Sequence, residues 1–160
     1  KLISINCLEF ACVVINFAAA IYACHIDDID LSNYPVLLNW CDNKAATCWV
    51  NIRCKSSMIG RNLAKIFIGL LMSTNLGIQA KWLSTKLNVI ADDISRLEDA
   101  DGNYDYSQLI VDHPSLKTCR QFQPSPILLG MISDVLLNNA SPDPLTIRRL
   151  KPQDLGSFIS

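Results

Sequence analysis

The sequence predicts an α/β fold, and three observations carry that expectation. An almost wholly apolar segment lies near the start, two short apolar runs are bounded by turn residues, and one long segment repeats apolar residues at three- and four-residue steps. In chain order these read helix, strand, helix, helix, strand, helix. With 160 residues, 50% of them hydrophobic and 18% charged, the chain can bury one sizeable core and is too short for two full domains.

Asn6-Cys7-Leu8-Glu9 has the form of an N-capping box, so the first helix is expected to start there and to run to about Cys24. Residues 25–34 are polar and acidic and read as a loop. Pro35 then opens Val36 to Cys41, an apolar run expected to be a buried strand ending at Asp42, and a short helix should follow from about Lys44 to Asn51. The clearest helix spans 57–75, where Ile59, Leu63, Ile66, Phe67, Leu70 and Leu71 share a face, Ser56 or Ser57 offers a cap and Gly77 a stop. Ile78 to Leu83 reads as a second strand, and Asn88 as the cap of a helix reaching about Leu97. Residues 98–103 form an acidic linker, and 104–160, which hold six of the seven prolines, read as a small helical appendage of unknown role.

Seven cysteines form an odd set without a CxxC pair, so they are read as reduced core thiols in a cytoplasmic or nuclear protein, with no structural zinc site. The apolar run Phe10 to Cys24 resembles a signal-peptide core but is interrupted by Asn16 and preceded by Glu9. At 15 residues it falls short of the ~20 a membrane span needs, so no membrane partner is expected. A first residue of Lys rather than Met suggests a piece of a longer polyprotein. His25 and His113 are isolated and read as surface or loop residues, while Trp40, Trp49 and Trp82 are expected in the core.

Charge is unevenly distributed in a chain whose formal net charge is only −1. From Asn43 to Ala91 there are seven basic residues and no acidic one, a candidate phosphate-facing surface in which Lys44, Arg53, Lys55, Arg61 and Lys65 are the expected nucleic-acid contacts. The alternative is a solvated helix face that merely lacks acids. Carboxylates flank the basic window on both sides, and a divalent cation such as Mg²⁺, or Mn²⁺, gives a reason to place acids beside a polyanion. Three of them sit at element ends: Glu9, Asp42 and Asp92. Each also has a structural alternative, as capping-box partner, helix cap and helix-dipole complement respectively.

Their surroundings follow an ordered pattern. Ile5-Asn6-Cys7-Leu8-Glu9 resembles the "IN-x-LE" segment that opens the first helix of retroelement ribonuclease H domains, and Cys41-Asp42-Asn43 resembles the family's "TDN" segment. Ala80 to Leu97 resembles the closing "A-x-[HYW]-I-P-G-x-x-N-x-x-A-D-x-L-S-R" signature, with Ser84-Thr85 in place of Pro-Gly and Asp92 at the carboxylate position. The flavour is that of gypsy-like or tyrosine-recombinase elements. The resemblance covers 1–97 and implies a ribonuclease H-like mixed sheet flanked by helices, lacking its first strands. It implies that Glu9, Asp42 and Asp92 are catalytic metal ligands for Mg²⁺ or Mn²⁺, that the substrate is an RNA–DNA hybrid, and that a reverse transcriptase domain is the neighbour. It also places the family's first aspartate on a strand ahead of the first helix, which this chain begins too late to include. The rival expectation is a non-catalytic nucleic-acid-binding or connector remnant of the same fold.

Overall fold

In the computed structural model, which describes residues 2–52, 57–97 and 106–159, helix α1 runs from Ile5 to Ile26. Its N-cap is Ser4, whose hydroxyl accepts from the Asn6 amide at 3.3 Å, so the capping box expected at residues 6–9 does not form. Asn6 and Glu9 lie inside the helix, and neither side chain is used to cap it. Cys7, Phe10, Ala11, Val14, Phe17, Ala18 and Ile21 make a buried stripe at helical spacing. At 22 residues and mean hydropathy 1.9, α1 is longer than the 15-residue apolar run suggests, and it is long and apolar enough to cross a membrane. Here its stripe is covered by protein.

Strands β1 (Val36–Cys41) and β2 (Gly77–Trp82) pair in parallel, from Val36↔Gly77 to Cys41↔Trp82. Parallel pairing demands a long crossover, which α2 (Lys44–Ile52) and α3 (Met58–Met72) belong to. The Ser57 hydroxyl caps α3 by accepting from the Gly60 amide at 3.0 Å. The helix stops at Met72, and Gly77 opens β2 instead of ending α3. Helix α4 (Val89–Ser95) follows β2; Asn88 is its N-cap residue but makes no side-chain cap bond.

The two edges of the parallel pair differ. Asn51 covers β2 by mimicking a strand: its Nδ2 donates to the Ala80 carbonyl at 2.8 Å and its Oδ1 accepts from the Ala80 N–H at 3.0 Å. The other edge of β1 has no backbone partner among the described residues.

Residues 106–159 contain α5 (Tyr106–Asp112), a 3₁₀ turn (Pro114–Thr118), β3 (Gln121–Pro124), α6 (Pro126–Asn138), α7 (Pro144–Arg148), α8 (Pro152–Leu155) and β4 (Gly156–Ile159). This stretch is therefore not helical alone, because β3 and β4 pair antiparallel with Phe122 opposite Phe158. Leu128, Ile132, Val135, Ile147 and Leu155 are buried in the same core as α1 and α3. Gly69 permits the closeness of α7 to α3, since a Cβ there would stand 2.6 Å from the Ile147 Cβ. Edge-to-face rings at 5.6 to 6.0 Å knit the centre: Phe10 with Phe67 and Trp49, and Phe17 with Phe67. Arg120 clamps Asp27 at the end of α1 through two nitrogens, at 2.8 and 2.5 Å, and its guanidinium lies 4.2 Å from the Phe158 ring. That hydrogen-bonded guanidinium holds the Asp27 carboxyl below its ordinary range.

The fold is thus mixed α/β and mostly helical. Among the described residues the expected larger mixed sheet is represented by two separate two-stranded sheets. The four-residue β3 and β4 satisfy each other instead of extending β1.

Candidate metal centre

Asn43 fixes the geometry around Asp42. Its Oδ1 accepts from the Ala46 N–H at 2.9 Å, capping α2, while its Nδ2 donates to Asn6 Oδ1 on α1, also at 2.9 Å. The last residue of β1 and the start of α2 are thereby tied to α1 one helical turn before Glu9. The capping roles open to Glu9 and Asp42 are filled by Ser4 and Asn43. Among the described residues neither carboxylate has a hydrogen bond or ion pair.

Glu9, Cys41 and Asp42 each offer a ligand atom within 4.8 Å of the other two. Cys41 is buried, at 6% exposure, and the two carboxylates are half-buried. Burial, and after it the charge of Asp42, pushes the Glu9 carboxyl above its ordinary value. Burial likewise pushes the Cys41 and Cys12 thiols up.

The same side chains line a cleft of about 490 Å³ that also includes Asn16, Asn39, Trp40, Asn88 and Asp92. Glu9 from α1, Asp42 from the end of β1 and Asp92 from α4 therefore share one cavity, although 33 and 50 residues separate them in sequence. It is lined by the carboxyl-terminal half of β1, Asn39 to Cys41, and by no residue of β2. Asp92 differs from its companions in being held by Arg96, at 3.0 Å to Nε and 3.1 Å to the terminal nitrogen, and it stands outside the 4.8 Å group. Asp93 is engaged by His113 at 2.6 Å, so His113 is a loop residue as expected, between α5 and the 3₁₀ turn, but a half-buried one with a carboxylate partner.

Of the basic residues, Lys44 follows Asp42 by two positions without lining the cleft: its ammonium is 4.8 Å from the centre of the Trp82 ring, whose Nε1 donates to the Asp42 carbonyl at 3.1 Å. Arg61 is exposed on α3, and Lys65 donates to Ser141 between α6 and α7 at 2.5 Å. Neither lines the cleft. Arg53 and Lys55 lie outside the described residues. Trp40 and Trp82, expected in the core, are 54% and 47% exposed, and they lie on opposite faces of the pair, since Trp40 is level with Lys81 and Trp82 with the buried Cys41; Trp49 does pack against Phe10.

The sequence pattern does not single out Cys41, Cys12, Asn16 or Asn39 as cleft residues. The available signal was Asn39, a polar side chain inside an apolar strand, which accepts from Asn16 Nδ2 at 3.4 Å. In donor chemistry, the oxygens of Glu9, Asp42 and Asp92 suit a hard divalent cation such as Mg²⁺ or Mn²⁺, whereas the thiol of Cys41 is foreign to one. Comparison with protein-family models, curated proteins and solved structures finds no match to this chain.

Proposed function

We propose that the cleft is a divalent-cation site of ribonuclease H type, serving hydrolysis of the RNA strand of RNA–DNA hybrids within a retroelement reverse transcriptase polyprotein in the cytoplasm or nucleus. The observation that carries this reading is the meeting of Glu9, Asp42 and Asp92, the carboxylates of three separate motifs, in one cleft. Bound Mg²⁺ or Mn²⁺ ions, ~3.5–4 Å apart in two-metal sites, supply an activated water and stabilise the leaving oxygen. Glu9 and Asp42 would hold that charge, with Asp92 available once it parts from Arg96. Lys44, over the Trp82 ring, would attract a backbone phosphate outside the cleft, and the exposed Trp40 offers a flat face to a base or sugar. The unpaired edge of β1 offers a place for one further strand, which the resemblance expects to bring the remaining carboxylate.

A second reading is a non-catalytic nucleic-acid-binding or connector form of the same fold, and the neutralisation of Asp92 by Arg96 favours it. The experiment that separates the two is cleavage of a labelled hybrid with Mg²⁺, with and without chelator, by wild type and Asp42→Asn. Chelator-sensitive cleavage lost in Asp42→Asn supports the nuclease. Equal cleavage by both refutes the role of Asp42, and hybrid binding without cleavage by either selects the second reading.

A further inference from the structure

A site for Mg²⁺ alone needs only oxygen donors, yet the two carboxylates closest together here share their position with a buried thiol. Cys41 gives its S–H to the Asn43 carbonyl at 3.6 Å and the Thr47 hydroxyl is within hydrogen-bonding reach of the sulfur, which keeps a further lone pair for a cation. One oxygen from Glu9, one from Asp42 and the sulfur lie within 4.8 Å of one another. Bonds of ~2.0–2.3 Å to a tetrahedral cation bring ligand atoms within roughly 4 Å, so small side-chain rotations close the gap.

A second, independent feature of the cleft points to a ligand. Asn39 is 8% exposed and lines the cavity. Its Oδ1 accepts from Asn16, while its Nδ2 has no acceptor among the described residues. Every fully buried side-chain nitrogen and oxygen among them is partnered, so this amide keeps its access through the cleft. A donor held there suits an acceptor atom brought by a bound cation, such as its water or a phosphate oxygen.

We infer that Glu9, Cys41 and Asp42 form a site for a thiophilic divalent cation of the Zn²⁺ class, which takes Cys41 as a ligand and displaces Mg²⁺ or Mn²⁺ from the carboxylates they share. The inference rests on reading Glu9 and Asp42 as cation ligands. On binding, the S–H bond of Cys41 is replaced by a sulfur–metal bond and the proton leaves to water. Zn²⁺ exceeds Mn²⁺ in affinity for a given mixed site, and a thiolate widens the difference. Occupancy by Zn²⁺ would therefore act as a brake on chemistry that depends on the harder ion.

The test uses Cd²⁺ as a spectroscopic stand-in for Zn²⁺ and follows free Mn²⁺ by electron paramagnetic resonance. Wild type should show one more equivalent of cadmium–thiolate ultraviolet absorbance than Cys41→Ser, with Cys12→Ser behaving as wild type. Zn²⁺ should displace Mn²⁺ from wild type, and the displacement should need at least about tenfold more Zn²⁺ in Cys41→Ser, since even the loss of an outer partner costs metal sites 10–100-fold. Because Cys41 is a core residue, Glu9→Gln provides a second arm that leaves the thiol in place: the cadmium NMR resonance assigned to the site should shift or vanish in it. Unchanged absorbance and displacement in Cys41→Ser, or an unmoved resonance in Glu9→Gln, overturns the inference while Mn²⁺ binding keeps the carboxylate site. Failure of wild type to bind Mn²⁺ at all overturns both.

Discussion

Replacing Glu9 by glutamine removes one negative charge from the cleft at nearly constant size. The ligand oxygens of Glu9 and Asp42 lie within 4.8 Å. Like charges at that distance repel by about 1 kcal/mol at the dielectric of water and about 3.5 kcal/mol at an effective value near 20. Glu9 is only partly buried, so the lower figure applies. Burial, followed by the charge of Asp42, raises the Glu9 carboxyl above its ordinary 4.5. The folded protein thus holds this proton more tightly than the unfolded chain does, and its stability falls as pH rises from 4.5 through the raised folded value. Above that window the penalty is fully present. Glu9→Gln should then melt about 2–4 °C higher than wild type near neutrality, the shift expected for ~1 kcal/mol in a chain of this size. Well below pH 4.5 the difference should vanish. Mn²⁺ should reverse the order, since ligand at 100 times its Kd stabilises by ~2.7 kcal/mol and the variant binds it poorly. Thermal melts at both pH values, with and without Mn²⁺, decide the matter. A variant less stable than wild type at neutrality without metal, or equal Mn²⁺ stabilisation of both, would show that Glu9 neither repels Asp42 nor binds the cation.

Asn51→Ala removes two hydrogen bonds from the edge of β2 and leaves the buried Ala80 backbone unpaired, so chemical denaturation should show a loss of about 2 kcal/mol and increased hydrogen exchange at Ala80. Gly69→Ala places a methyl against Ile147 and the Pro144 carbonyl, and equilibrium unfolding should register a loss of about 1–3 kcal/mol; a neutral result would contradict the packing of α7 on α3. Trp40→Ala should weaken hybrid binding by about 1–3 kcal/mol if a base stacks on that face. Lys44→Glu should weaken binding irrespective of sequence and lower the salt slope by ~0.9, as fluorescence anisotropy across a salt series will show.

Much of the local structure was legible because periodicity and punctuation agree over α1, β1, α2, α3 and β2. The start of α1 was misplaced because Asn6 and Glu9 imitate a capping box, while Ser4 is two residues upstream and better placed to cap. The strand pair β3–β4 was hidden because four residues carry too little pattern, and Phe122 and Phe158 find each other only across 36 residues of chain. Proline punctuation in 104–160 marks the breaks between elements but says nothing of where Leu128, Val135 and Ile147 are buried. In the site, motif order brought Glu9, Asp42 and Asp92 to attention as a set. Cys41 escaped because metal-ligand spacing in sequence looks for neighbouring Cys and His, whereas its companion Glu9 is 32 residues away and meets it only in the folded chain. Exposure of Trp40 and Trp82, on opposite faces of the parallel pair, likewise depends on what covers each strand end, a tertiary property that strand-like composition does not encode.

The most direct test is an anomalous-difference map from crystals of the full chain grown with Mn²⁺. A manganese peak is expected in the cleft within coordinating distance of Glu9 and Asp42, weakened or absent in Asp42→Asn. Ordered manganese elsewhere, with no density between those two carboxylates, would contradict it.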